Sequence, residues 1–177
     1  MPQMKTGHPL RHLVLVRHSQ AGDAAEFAAT GQGDHLRPLT QEGISRMRRA
    51  ARGLHRLVEG PVGIVTSPYS RAAQTAQILH EVFPDAEIAS APTLIPEADP
   101  MQFADWVHEQ SCPPTLLAVG HEPHLSLLAG WLLAGERRSL VRMKKGGVCC
   151  LDVSLGMQPG RATLHWLLTQ GQLRKLA

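Results

Sequence analysis

Aromatic residues are scarce in this 177-residue chain: three Phe, three Trp and one Tyr amount to 4% of it. A protein that holds single-stranded nucleic acid stacks bases on several aromatic rings, so that class is excluded and the core must be aliphatic and alanine-rich. Cysteine is scarce too. Cys112, Cys149 and Cys150 cannot all pair with one another, two of them are adjacent, and no Cys-x-x-Cys occurs. They read as reduced, buried thiols of a cytosolic protein. Long hydrophobic runs are missing as well. The stretch from Leu125 to Ala134 is broken by Ser126 and Gly130 and falls short of the roughly 20 residues that cross a bilayer. Leu13 to Val16, behind Lys5, His8, Arg11 and His12, is too short for a secretory leader. The chain is therefore expected to be cytoplasmic and soluble, without a membrane partner. Residues 1–177 are read as a single domain, with 1–10 as a flexible extension.

Charge of either sign is modest at 19% of residues, with 18 Lys and Arg against 15 Asp and Glu, a net charge of +3. The basic residues are dispersed. A weak positive field suits a small anionic ligand better than a DNA groove, so no nucleic-acid partner is expected. No repeat, low-complexity tract or interdomain linker is visible. The apolar fraction of 43% is that of a globular chain, and disorder is excluded as the dominant state.

What the sequence does contain is an alternation of short aliphatic runs and helical periods. Leu13-Val14-Leu15-Val16, Val62 to Thr66 and Leu116-Leu117-Ala118-Val119 read as buried strands. Ile44, Met47, Ala51, Leu54 and Val58 form one helix face, and Ala72, Ala76, Leu79 and Phe83 a second. A third helix carries Leu125, Leu128 and Leu132, with Pro123 in its first turn. Val148 to Val153 and Ala162 to Leu168 read as two closing strands around a turn from Gly156 to Gly160. Such alternation predicts an α/β sandwich with a largely parallel sheet. Residues 19–39 and 90–101 show no clear period and read as functional loops.

The position of the charged residues is the most informative feature. Arg17 and His18 follow the first strand, Ser67 and Arg71 the second, and Gly120 and His121 the third. Ligands of open parallel sheets bind beyond the carboxyl ends of the strands. Two arginines and two histidines gathered there without a carboxylate call for an anion, and the arginine fork fits phosphate. Helices beginning near Tyr69 and Pro123 add N-terminal N–H groups. A neutral His at a strand end is a competent nucleophile, and a second His can donate to a phosphoryl oxygen. His121 and His124 have a helical spacing, but Pro123 lies between them and no Cys or Asp is near, so no metal is expected. His124 reads as a residue of the pocket mouth. Arg46, Arg48, Arg49 and Arg52 read as a solvated helix face. Arg137, Arg138, Arg142, Lys144 and Lys145 read as solubilising loop charge, and Trp106, Trp131 and Trp166 as packing residues.

These residues resemble the histidine phosphatase (phosphoglycerate mutase-like) superfamily. The segment Leu13-Val14-Leu15-Val16-Arg17-His18-Ser19 is similar to its "RHG" signature, with Ser19 where most members have Gly. Thr66-Ser67-Pro68-Tyr69-Ser70-Arg71-Ala72-Ala73-Gln74-Thr75-Ala76 resembles its second arginine segment. Val119-Gly120-His121-Glu122-Pro123-His124 resembles its second histidine segment. Leu36-Arg37-Pro38-Leu39-Thr40-Gln41-Glu42-Gly43 is similar to the "RPLT..G" element of the short SixA-type phosphohistidine phosphatases. The resemblance implies a three-layer α/β/α sandwich, no metal or organic cofactor, and His18 as a nucleophile that becomes phosphorylated. It implies a phosphate pocket completed by Arg17, Arg71 and His121. Glu97 is the candidate general acid and Asp99 the second, each also readable as a loop carboxylate or a helix cap. The implied activity is a protein phosphohistidine phosphatase acting on a phosphohistidine-containing carrier. The alternatives are a phosphomonoesterase or mutase acting on a small phosphorylated metabolite, and a non-catalytic module that binds a phosphoprotein. A monomer is expected.

Overall fold

The computed structural model describes residues 10–177. Residues 1–9, nearly all of the expected flexible extension, lie outside it, while Leu10 packs against the core. Six strands form one sheet: β1 (His12–Arg17), β2 (Val62–Thr66), β3 (Ile88–Ser90), β4 (Thr115–Gly120), β5 (Val148–Asp152) and β6 (Thr163–Leu168). Their spatial order is β3-β2-β4-β1-β5-β6. The pairings β3–β2, β2–β4 and β4–β1 are parallel; β5 runs antiparallel to β1, and β6 antiparallel to β5. The sheet is mixed and mostly parallel, as expected. The helices are α1 (Ala24–Ala28), α2 (Gln41–His55), α3 (Ser70–His80), α4 (Pro100–His108), α5 (His124–Ala134) and α6 (Gln170–Lys175).

Both faces of the central strands are covered, which is why these runs are continuously apolar. Leu13 and Leu15 share a cluster with Leu116, Ala118, Phe103 of α4, and Leu125 and Leu128 of α5. Val14 and Val16 share another with Leu117, Val119, Met47 and Leu54 of α2, Leu79 of α3, and Leu173 of α6. The period-two alternation of the strands thus divides the core between two helical layers, and the fold is an α/β/α sandwich. Cys149 and Cys150 follow the same rule, one to each face, and both are buried. Burial pushes both thiols up to about 12.

The segments 19–39 and 90–101, read as functional loops, both contribute residues to one cleft but are not wholly irregular. The first contains α1 and a 3-10 turn at Asp34–Leu36; the second contains a 3-10 turn at Pro92–Leu94, and α4 starts at its end. In the first segment no period shows because nothing is buried: neither α1 nor the 3-10 turn has a buried residue, and α1 is started by the Asp23 carboxylate, which accepts from the amides of Ala25 and Glu26. Strand β3 is only three residues long, and α6 buries only Leu173, so both escape a periodicity search.

Arg17, Thr66 and Gly120 end three neighbouring strands on the same edge of the sheet, with Arg17 in register with Gly120 and Thr66 with Val119. The chain leaving β1 is then pinned to α2. The amide of Thr40 donates to the carbonyl of Gln20 at 2.9 Å, and the Thr40 hydroxyl caps α2 by accepting from Gly43 N at 2.9 Å. A Cβ on Gly43 would lie 2.2 Å from that Gln20 carbonyl oxygen. Glycine here permits the close approach that holds residues 18–20 in place.

Candidate active site

The backbone around His18 is fixed from three sides. His18 N donates to the carbonyl of Gly120 (3.0 Å), Arg17 N to that of Gly147 (3.0 Å), and Gly146 N to the carbonyls of both Arg17 and His18 (3.1 and 3.0 Å). The His18 ring is 7% exposed, with Nδ1 2.7 Å from the carbonyl oxygen of Ser19. A carbonyl only accepts, so Nδ1 carries the proton and Nε2 keeps the lone pair. Burial lowers the His18 pKa to about 4, with Arg71, Arg17 and Arg37 pushing the same way and the Ser19 carbonyl opposing them. At pH 7 this imidazole is neutral and its one uncommitted nitrogen is Nε2.

Both arginines are anchored by their terminal nitrogens. Arg17 Nη1 donates to the carbonyl of Met143 at 2.7 Å. Arg71 Nη1 donates to the carbonyl of Asp34 at 2.8 Å, and Nη2 meets the Asp34 carboxylate at 3.0 Å. Their Nε–H groups are buried and have no partner among the described residues. Buried donors in that state are costly unless an acceptor meets them. His121 is 2% exposed, its ring centroid 5.1 Å from that of His18. Its Nε2 is 2.9 Å from Ser67 Oγ, and its Nδ1 is buried without a partner among the described residues. Burial, reinforced by His18 and Arg71, lowers its pKa to about 3.

A cleft of about 600 Å³ joins these groups. Arg17, His18, Arg71, His121 and Glu97 all line it, whereas Asp99 does not. Asp99 caps α4 by accepting from Met101 N at 3.0 Å, and it pairs with Arg137 at the same distance. Glu97 is exposed and accepts from the Tyr69 hydroxyl at 2.9 Å. Tyr69 itself lies edge-on to His121, its ring 5.1 Å from the Arg71 guanidinium carbon. His124 is not a residue of the pocket mouth: it is 1% exposed and absent from the cleft lining, because Pro123 and the start of α5 carry it into the core.

The absence of carboxylates read from the strand ends does not hold. Asp23, Asp34 and Glu122 also line the cleft, as do Arg37 and Lys145. Asp34 bridges Arg71 and Arg37, the latter through Nε at 2.7 Å, and burial raises the pKa of Glu122. These residues were missed because segments without periodicity deliver them. The signals available were the adjacency of Glu122 to His121 and the place of Arg37 in the "RPLT..G" element.

A sequence profile of the histidine phosphatase superfamily (branch 1) matches residues 13–99, which carry Arg17, His18, Arg71 and Glu97. An uncharacterized protein of Picosynechococcus sp. is 32% identical over 86% of this chain and 88% of its own length. The chain belongs to the histidine phosphatase superfamily. Solved structures agree in fold. The assigned phosphohistidine phosphatase SixA of Agrobacterium tumefaciens superposes with a TM-score of 0.71 at 21% identity, over 92% of this chain and 99% of that one. A variant phosphoserine phosphatase of Entamoeba histolytica, complexed with phosphoserine, reaches 0.65 at 16% identity, over 92% and 98%. The chain is thus a superfamily hydrolase with the mostly parallel architecture of those neighbours. Among the described residues, no helix is long and apolar enough to cross a membrane.

The two depressed histidines make this superfamily member acid-sensitive. In the unfolded chain they protonate near pH 6.5, in the native state only near 4 and 3, so below pH 6.5 the unfolded state binds more protons. Stability falls as pH drops from 6.5 towards 4, by about 2 kcal/mol per buried imidazole at pH 5. Thermal melts are expected to show a lower Tm at pH 5 than at pH 7, and a smaller decrement in His121→Ala. Equal decrements in the two proteins contradict the assignment.

Proposed function

We propose that this phosphatase hydrolyses protein phosphohistidine through a covalent intermediate on His18. The carrying observation is that Arg17, Arg71 and His121 line one cleft with His18, whose Nε2 is the uncommitted nitrogen, while the buried Nε–H groups of both arginines have no partner among the described residues. In the first step Nε2 attacks phosphorus in line, the P–N bond to the substrate imidazole breaks, and that imidazole keeps the bond pair and takes a proton from solvent water, balanced by the proton released in the second step. Arg17, Arg71 and His121 hold the non-bridging oxygens as charge develops on them. In the second step water attacks the phosphohistidine, gives up a proton, and releases inorganic phosphate with His18 restored. No metal or organic cofactor enters either step. The proposed substrate side is a phosphohistidine-containing carrier protein.

Support for a P–N bond comes from Glu97. Its carboxylate is exposed and occupied by the Tyr69 hydroxyl, an indifferent setting for a dedicated acid, whereas a protonated nitrogen leaves readily without one. Glu97→Gln is accordingly expected to lower monoester turnover about 10²-fold and phosphohistidine turnover by at most about tenfold. Equal losses on both substrates contradict the P–N assignment. The presence of Glu97 in the cleft lining favours a second reading, a phosphomonoesterase of small metabolites in which Glu97 protonates an alcohol leaving group.

A further inference from the structure

We propose that Ser19 and Gln170 act as one unit of positioning residues that ties the C-terminal helix to the orientation of His18. The inference rests on the reading of His18 as the nucleophile. Among the described residues the His18 ring makes one hydrogen bond, from Nδ1 to the carbonyl of Ser19. What holds that carbonyl is therefore what aims Nε2.

Every polar group of Ser19 is committed, and the residue is fully buried. Its amide donates to Thr75 Oγ1 at 3.2 Å, and that hydroxyl in turn donates to the carbonyl of Arg71 at 2.8 Å. Its own hydroxyl donates to the carbonyl of Gly43 at 2.8 Å and accepts from Gln170 Nε2 at 2.9 Å. The Ser19 side chain thus bonds two further elements, α2 and α6, to the residue orienting His18.

Gln170 meets the same region from its other side. Gly146 has φ +69°, and a Cβ there would sit 2.3 Å from Gln170 Nε2. Gly146 is the residue whose amide binds the carbonyls of Arg17 and His18. The Gln170 carboxamide is therefore packed between Ser19 and Gly146, one residue following His18 in sequence and the other bonded to its backbone. Helix α6 is itself well fixed. Thr169 and Gln172 form a reciprocal cap, Leu173 is buried against α2, and a Cβ on Gly53 of α2 would lie 1.9 Å from the Leu173 carbonyl oxygen. A residue 151 positions from Ser19 in sequence thereby helps set the line of attack. Small misplacements of a reacting atom cost large factors in rate while leaving substrate binding nearly intact.

The test uses the full chain with phosphoramidate as the phosphoryl donor, and measures single-turnover phosphoenzyme formation, KM and Tm. The variants are Ser19→Ala, Gln170→Met and the double substitution. Each single change is expected to slow phosphoenzyme formation about tenfold with KM within about twofold, because orientation rather than binding is lost. The double variant is expected to be little slower than either single one, since the two residues act together. Wild-type rates in the single variants, multiplied losses in the double, or a rise in KM alone overturn the proposal. Gln170 is only half-buried at the start of α6, so Gln170→Met decides the matter where Ser19→Ala folds poorly. Wild-type protein that forms no phosphoenzyme at all overturns the nucleophile reading itself, and the positioning role with it.

Discussion

His18→Ala is expected to form no phosphoenzyme and to lose roughly 10⁴-fold or more of turnover, the scale seen when a covalent nucleophile is removed. The expectation follows from the ring's surroundings. Nδ1 is committed to the Ser19 carbonyl, burial keeps the imidazole neutral down to a pKa of about 4, and Nε2 is left as the nucleophilic atom. His121 is not placed to substitute for it, since its Nε2 lies against Ser67 Oγ and its Nδ1 is fully buried. Acid-quenched samples incubated with labelled substrate report the result directly: label on the wild-type protein and none on the variant. Label retained by His18→Ala would falsify the assignment.

Arg71→Lys is expected to lower kcat/KM by about 10²- to 10³-fold, about 3 to 4 kcal/mol of transition-state stabilisation. The guanidinium is 4% exposed and serves two purposes at once. Its Nη1 and Nη2 hold the Asp34 carbonyl and carboxylate, while Nε–H is buried without a partner among the described residues. A lysine ammonium is a point charge on a flexible stem, able to keep the Asp34 contact or to meet phosphate, and not to reproduce both edges. Stability should change little, because the Asp34 side chain is half-exposed and water compensates for the lost pairing. Steady-state kinetics beside a thermal melt checks both parts. A loss below about tenfold, or one matched by a collapse in Tm, contradicts the phosphate-binding role.

The strands were legible because they are buried on both faces. Leu13 to Val16 and Leu116 to Val119 carry no polar interruption, and the ends of such runs give the positions of Arg17, His18 and His121 directly. The stripes of α2, α3 and α5 were legible for the related reason that each buries one apolar face. Cleft residues from short, exposed elements were not. Asp34 sits in a 3-10 turn with no buried residue, and Lys145 in a loop read only as solubilising charge. Their roles arise from contacts with Arg71 and the cleft that no local pattern encodes. Asp99 could be placed either way from sequence, and the structure puts it at the N-terminus of α4. The network around Ser19 lay furthest from view, since it joins the segment following β1 to α2, α3 and α6.

The most direct test of the account compares initial rates on a phosphohistidine-bearing carrier domain and on a panel of phosphate monoesters, with His18→Ala as the blank. The account predicts much faster turnover of the phosphohistidine, all of it dependent on His18. Faster turnover of a monoester would contradict the P–N assignment and move Glu97 to the centre of the chemistry.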